Sequence, residues 1–294
     1  MPFQQAIIES PGIPLIASPS IQEQQFESFL SLLHVSSIEE ARQLPTNDIQ
    51  TANYLAIALA KYGSFEFSPT VDGNFVPAVP STLLRNGQFD KSVRLLNIHT
   101  SNEGYGWASP NIQDDAAFRA FVLGFFPGLA TSPENLDYIT TSLYPSIFNG
   151  SQANNYTDQY ARAAALVTEA EFTCSVAALG DALPSQTWSA DFVLGGAFHE
   201  TEAGYTAYGS LYPTNMTAFD ATSGDLSMEQ ISYVLQGYFA RFTQVGNPNG
   251  PELPFWPLYG DNQTAQFVNT SGFSLGTELA ANRRCDWWSK GLVY

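Results

Sequence analysis

The chain has few of the residues that most often announce chemistry or destination. Only two cysteines and three histidines occur among 294 residues, which excludes a multi-disulfide scaffold and a Cys/His-rich zinc fold. Basic residues are also scarce, with 11 Lys plus Arg against 28 Asp plus Glu and a net charge of −17. A surface of that sign repels phosphate backbones and anionic bilayers, so nucleic acid is excluded as a partner. No apolar run approaches the length of a bilayer span. The opening MPFQQAIIESPGIP lacks a basic stretch followed by an apolar one, so neither a membrane span nor a signal peptide is read. Internal repeats, low-complexity tracts and convincing linkers are absent too, which makes residues 1–294 a single domain in the simplest account.

What is present is a composition 44% hydrophobic, enough for a sizeable core. Five sequons, at Asn149, Asn155, Asn215, Asn262 and Asn269, fall in segments that read as loops. They point to a secreted glycoprotein. Their conflict with the missing signal implies that the true beginning lies upstream.

Hydrophobic spacing gives a coarse order of elements. QAIIE, ending at Glu9, reads as a buried strand running into the Ser10-Pro11-Gly12 turn, and Val93 to Ile98 as a second buried strand ending in a polar loop from His99 to Gly104. Helical spacing marks Phe26, Phe29, Leu30 and Leu33, and again Phe118, Phe121 and Phe125. Tyr160 to Leu183 is Ala-rich with few breakers and predicts one long helix carrying Cys174. A capping-box pair, Ser227 and Gln230, opens the clearest helix. Its face is Ile231, Val234, Leu235, Tyr238, Phe239 and Phe242, and it stops at Gly246. Helices alternating with short buried strands predict an α/β layered sheet.

Two residues stand out as chemistry. Glu103 follows directly on the second strand, where sites form in open α/β sheets. His199 follows a Gly-rich turn in GGAFHETEAGY. His34 reads as part of an apolar helix, packed or capping, and His99 as a loop residue or a donor behind Glu103. The order, acid before base, is that of Ser…Asp/Glu…His hydrolases. Other motifs fail on inspection. Ile8-Glu9-Ser10-Pro11-Gly12 mimics a G-x-S-x-G elbow, but Ile8 crowds the first glycine position and Pro11 has no N–H for an oxyanion, so Ser10 is a poor nucleophile. His199-Glu200 begins a zinc-protease motif whose second histidine position holds Ala203, and no metal site is read. Gly104-Tyr105-Gly106 has Ser109 where a dinucleotide fingerprint needs its third glycine, so no cofactor is read either.

The order of several segments resembles the type B carboxylesterase/lipase family, the cholinesterase-like α/β-hydrolases. FQQAIIESP is similar to the strand after that family's nucleophile helix, FSPTVDGNFVPAVPSTLLRNGQF to the approach to its acid loop, HTSNEG to the acid loop, and FHETE to the histidine loop. GNPNGPELPFWPLY and CDWW complete the series. The resemblance implies an α/β fold, the C-terminal portion of an α/β-hydrolase, with a mostly parallel sheet and many helices. The N-terminal strands and the nucleophile elbow are expected upstream of it. It implies Glu103 as the acid that orients His199, His199 as general base, and Ser10 and Glu202 as supporting groups behind them. It implies a Cys174–Cys285 disulfide joining the long helix to the C-terminal helix, and as substrate a small carboxylic ester.

Two departures from the family pattern touch the site. Ile98 stands where glycine is usual before the acid loop. The strand and connection ahead of the histidine are compressed into Gln186 to Phe192, which weakens the aim of His199 at Glu103. Three roles remain open: part of a longer active esterase completed by its N-terminal half, a non-catalytic protein that binds a partner, or an enzyme using another serine. An isolated chain should also leave a bare sheet edge that favours aggregation or a bound partner.

Overall fold

The computed structural model describes residues 3–12, 18–151, 154–208 and 225–293. They form two compact units. The first comprises residues 1–13, 81–106 and 164–290, and the second residues 14–80, 107–163 and 291–294.

The first unit is built on a five-stranded sheet in the order β1 (Gln5–Glu9), β2 (Arg94–Thr100), β3 (Thr187–Phe192), β4 (Thr264–Asn269) and β5 (Gly272–Thr277). The first four strands are parallel and β5 turns back antiparallel on β4. Parallel strands need cover on both faces, and alternation along β2 supplies it. Leu96 and Ile98 join Trp188, Ala190 and Phe192 in a core closed by Val234, Leu235, Tyr238 and Phe242 of the Met228–Val245 helix. On the other face Val93 and Leu95 pack with Leu179 and Leu183. The capping box predicted at Ser227 and Gln230 is present, and Gly246 ends the helix at φ 69°. That left-handed geometry is why glycine stands there.

The long helix predicted around Cys174 runs from Gln159 to Ala182 and crosses the boundary between the units. By length and apolar composition it reaches a membrane span, contrary to the sequence reading, and 78% of its apolar stretch is buried inside the protein. A buried core helix accounts for this composition. Cys174 is bonded to Cys285 in the helix Arg283–Trp288, the pairing the family resemblance implies. Beside it Arg284 grips Glu169 through Nε at 2.5 Å and Nη2 at 2.7 Å.

The strand predicted at Val93 to Ile98 is interior to the sheet as β2, so among the described residues the edge strands are β5 and β1, and Ala6, Ile7 and Ile8 of β1 are only half-buried.

The second unit is helical. Its predicted helices appear as Pro19–Leu32 and Asp115–Phe125. Arg162 is its buried anchor, 1% exposed, donating to Asp115 at 2.6 Å and to the Thr140 and Tyr144 carbonyls. Its guanidinium lies 3.8 Å from the centre of the Phe118 ring, where a cation is attracted to the π face. His34 is not packed in the first of these helices. It stands exposed just past the helix end at φ 56°, its N–H bonded to the Ser31 carbonyl at 3.1 Å.

Of the sequons, Asn149, Asn155 and Asn262 are exposed. Asn269 is not in a loop but closes β4, where its Oδ1 accepts the Ser271 N–H at 2.8 Å. Asn215 lies outside the described residues.

Candidate active site

Adjacent parallel strands deliver their following loops to the same edge of a sheet. Here β2 leads to Glu103 and β3 to His199, within the first unit. The compression at Gln186 to Phe192 does not shorten the strand, because Thr187 to Phe192 are all buried and paired as β3. Nor does Ile98 disturb it, being fully buried in the core. Asn102 ties the two loops together. Its backbone N–H donates to the Ala197 carbonyl and its Nδ2 to the Gly196 carbonyl, both at 2.8 Å. The His199 loop turns through positive φ at Gly195, Gly196, Ala197 and Glu200. For Ala197 and Glu200 that conformation costs about 1–2 kcal/mol each. Such strain persists only where the surroundings over-determine it.

Glu103 is fully buried. Its Oε2 lies 2.5 Å from His199 Nδ1, and its Oε1 accepts the Thr100 N–H and the Ser10 hydroxyl, each at 2.7 Å. Burial pushes the carboxyl up, but hydrogen bonds from His199, Thr100 and Ser10 outweigh it and hold the group below its ordinary value. Gly104 follows for a steric reason. A Cβ there would collide with the Ala164 carbonyl oxygen, and its N–H donates to Thr168 Oγ1 at 2.8 Å. Over Thr168–Thr173 the long helix widens to π geometry, a local expansion often found at functional sites. This segment carries Thr168 to Gly104 and sets the Phe172 ring against the His199 imidazole, with centroids 4.8 Å apart.

Burial disfavours the His199 imidazolium, but the hydrogen bond and charge of Glu103 outweigh it and raise the His199 pKa above the ordinary histidine value. An ionised carboxylate on Nδ1 fixes the tautomer with hydrogen on Nδ1 and leaves Nε2 as the basic nitrogen. The imidazole is 24% exposed. The arrangement can take a proton at Nε2 and return it. Ser10 sits at φ 50° at the end of β1, 8% exposed, its Oγ engaged by Glu103 and also 3.1 Å from Glu202 Oε1. Among the described residues no cluster of three or more His, Cys, Asp or Glu side chains is placed to hold a metal ion.

His99 is not in a loop. β2 runs on to Thr100, so His99 is a strand residue, 1% exposed, its Nε2 2.9 Å from Glu278 Oε1 and its Nδ1 3.9 Å from Asp191 Oδ1. Ser189 donates to Glu278 at 2.6 Å and Ser101 to Asp191 at 2.8 Å. Sequence reasoning missed this cluster, although HTSN offers no turn-forming residue until Ser101, a signal that the strand continues.

The mixed sheet, with Glu103 and His199 brought together at the carboxyl ends of adjacent parallel strands, defines the class: an esterase-like α/β-hydrolase fold. The model of the carboxylesterase family matches residues 2–288, and the chain belongs to that family. It is 34% identical over 293 residues to carboxylesterase patB of Penicillium expansum, covering 98% of this chain and 49% of that protein. Over 111 residues, 37% of this chain and 19% of the relative, it is 30% identical to the inactive carboxylesterase-like protein VdtD of Byssochlamys spectabilis. The crystal structure of Aspergillus niger EstA shares the fold at a TM-score of 0.73 and 22% identity, over 98% of this chain and 58% of that one. The chain thus spans about half the length of the curated relative patB.

Proposed function

We propose that this chain supplies the acid and base of a serine carboxylic ester hydrolase working through an acyl-enzyme. Glu103 orients His199. His199 takes the proton from a serine contributed by the N-terminal half of a longer hydrolase and passes it to the leaving alkoxide. The observation that carries this is the 2.5 Å contact between His199 Nδ1 and buried Glu103, which leaves Nε2 basic. No cofactor enters this reading, and the substrate class is a small carboxylic ester. The sequons and the disulfide support secretion as a glycoprotein in the same reading.

The test is hydrolysis of a chromogenic ester, and labelling by a fluorophosphonate, with the chain alone and with a polypeptide corresponding to the N-terminal half of patB. Hydrolysis only in the mixture, lost in His199→Ala, is expected. A mixture that forms a stable complex yet neither hydrolyses nor labels would overturn it. The likeness to VdtD, whose name records inactivity, favours a second reading in which the chain binds a partner without chemistry. A partner whose binding survives both His199→Ala and Glu103→Gln would support that reading.

A further inference from the structure

Behind Glu103 lies a second buried carboxyl. Glu202 is 2% exposed, and both glutamates reach the one hydroxyl of Ser10, Glu103 at 2.7 Å and Glu202 at 3.1 Å. A hydroxyl has one hydrogen to give. Glu103 takes it: the contact is shorter, and Glu103 already accepts from Thr100 and faces His199, as an ionised acid does. The Ser10–Glu202 contact is then attractive only if the hydrogen comes from Glu202. Its other oxygen, Oε2, is buried with no hydrogen-bond partner among the described residues, a costly position for half of a charged carboxylate.

We propose that Glu202 is a proton-holding positioning residue: it stays a neutral acid, donates to Ser10 Oγ, and so directs the Ser10 hydrogen onto Glu103 as the sole anion paired with His199. Glu103 approaches from the turn after β2, Glu9 from the end of β1, and His199 from its own loop. Burial first, then the charges of Glu103 and Glu9, outweigh the pull of the Glu202 backbone N–H and push the Glu202 carboxyl above its ordinary value. The inference rests on Glu103 and His199 being the acid–base pair. Its consequence is for basicity. A second anion beside the imidazole would keep His199 protonated to higher pH, and a general base must be unprotonated to act.

The proton is read directly by NMR on the chain labelled with 13C at the glutamate carboxyl carbons. Following the Glu202 and His199 signals between pH 5 and pH 8 needs no ester, so loss of the proposed catalysis and loss of this proposal are separately visible. We expect the Glu202 carbon to keep the shift of a protonated acid across that range, with Glu202→Gln used to assign it. The His199 midpoint should move by less than about 0.3 pH unit in Glu202→Gln, because a neutral amide replaces a neutral acid. An ionised Glu202 signal at pH 6 would overturn the proposal. So would a His199 midpoint lowered by about one unit in Glu202→Gln, a tenfold change in proton affinity that marks a removed anion. If Glu202→Gln does not fold, Glu202→Asp removes the same labelled carbon and assigns it, and the wild-type titration still decides.

Discussion

Removing the His99 imidazole should be among the most damaging single changes in the first unit, and its cost should depend on pH in a defined way. His99 is buried between Glu278 and Asp191. Burial alone would lower its proton affinity, but the two carboxylates raise the pKa from 6.5 to about 10. At 1.36 kcal/mol per pH unit, that rise corresponds to about 5 kcal/mol. The group binds protons more tightly when folded. Its contribution is therefore fully present below pH 6.5 and falls as pH rises, until it is gone above about pH 10. Glu171, buried and pushed up to about 8, drains stability over the lower part of the same range, so pH 8 to 10 is the window that belongs to His99. His99→Gln leaves Glu278 buried without its cation and should cost about 3–5 kcal/mol at pH 7. Urea unfolding from pH 6 to pH 10 measures both effects: wild type should lose stability between pH 8 and 10 and His99→Gln should be nearly flat there. A wild-type plateau in that window, or an equal slope in the variant, refutes the assignment of the charge to His99.

Other expected outcomes follow from the same structure. Reduction or Cys174→Ala opens a loop of 111 residues and should lower stability by about 4.8 kcal/mol in the chain-entropy account, read as a fall in Tm with dithiothreitol. Arg284→Ala strands Glu169 without its bidentate partner and should cost about 3 kcal/mol in urea unfolding, whereas Glu169 and Arg284 replaced together should cost less than the two changes added. Glu171→Leu removes a buried acid and should stabilise the chain at pH 8 while changing little at pH 4, since the acid's penalty appears only as pH rises above 4.5 toward 8. Glu103→Gln should lower the His199 midpoint by about one unit or more in an imidazole NMR titration, because its hydrogen bond and charge are the leading influences raising it.

Much of the sheet was legible because burial on two faces writes near-continuous apolar runs. QAIIE and VRLLNI were found as β1 and β2, and the capping box located the Met228–Val245 helix. Of the candidate pair, Glu103 was legible from its position after a strand, and His199 from its Gly-rich turn and the family resemblance. What escaped was decided by tertiary partners. His99 reads as polar and therefore as loop, yet Glu278, 179 residues away, makes it a strand residue. Of the two readings of His34, packed or capping, the structure bears out the second: it takes the left-handed position that ends the helix. The compression before His199 looked like a lost strand because segment length, not pairing, was all the sequence displayed; β4 supplies the pairing on its far side.

The way Glu103 and His199 are held argues that their alignment is a property of this half of the fold. Every group that fixes Glu103, namely Ser10, Thr100 and the Gly104 packing on Ala164, lies in the first unit, as do Asn102 and Phe172 that place the His199 loop. Alignment by hydrogen bonds within one unit does not wait for a nucleophile to arrive. Gly104→Ala tests this: a Cβ forced against the Ala164 carbonyl must displace the Glu103 turn or the helix. The expected result is a lowered His199 midpoint in the chain alone, with a loss of about 1–3 kcal/mol in urea unfolding. A full loss of stability with an unchanged His199 midpoint would mean that the helix yields and the turn does not, and that the pair is held by Asn102 and Ser10 without help from the Gly104 contact.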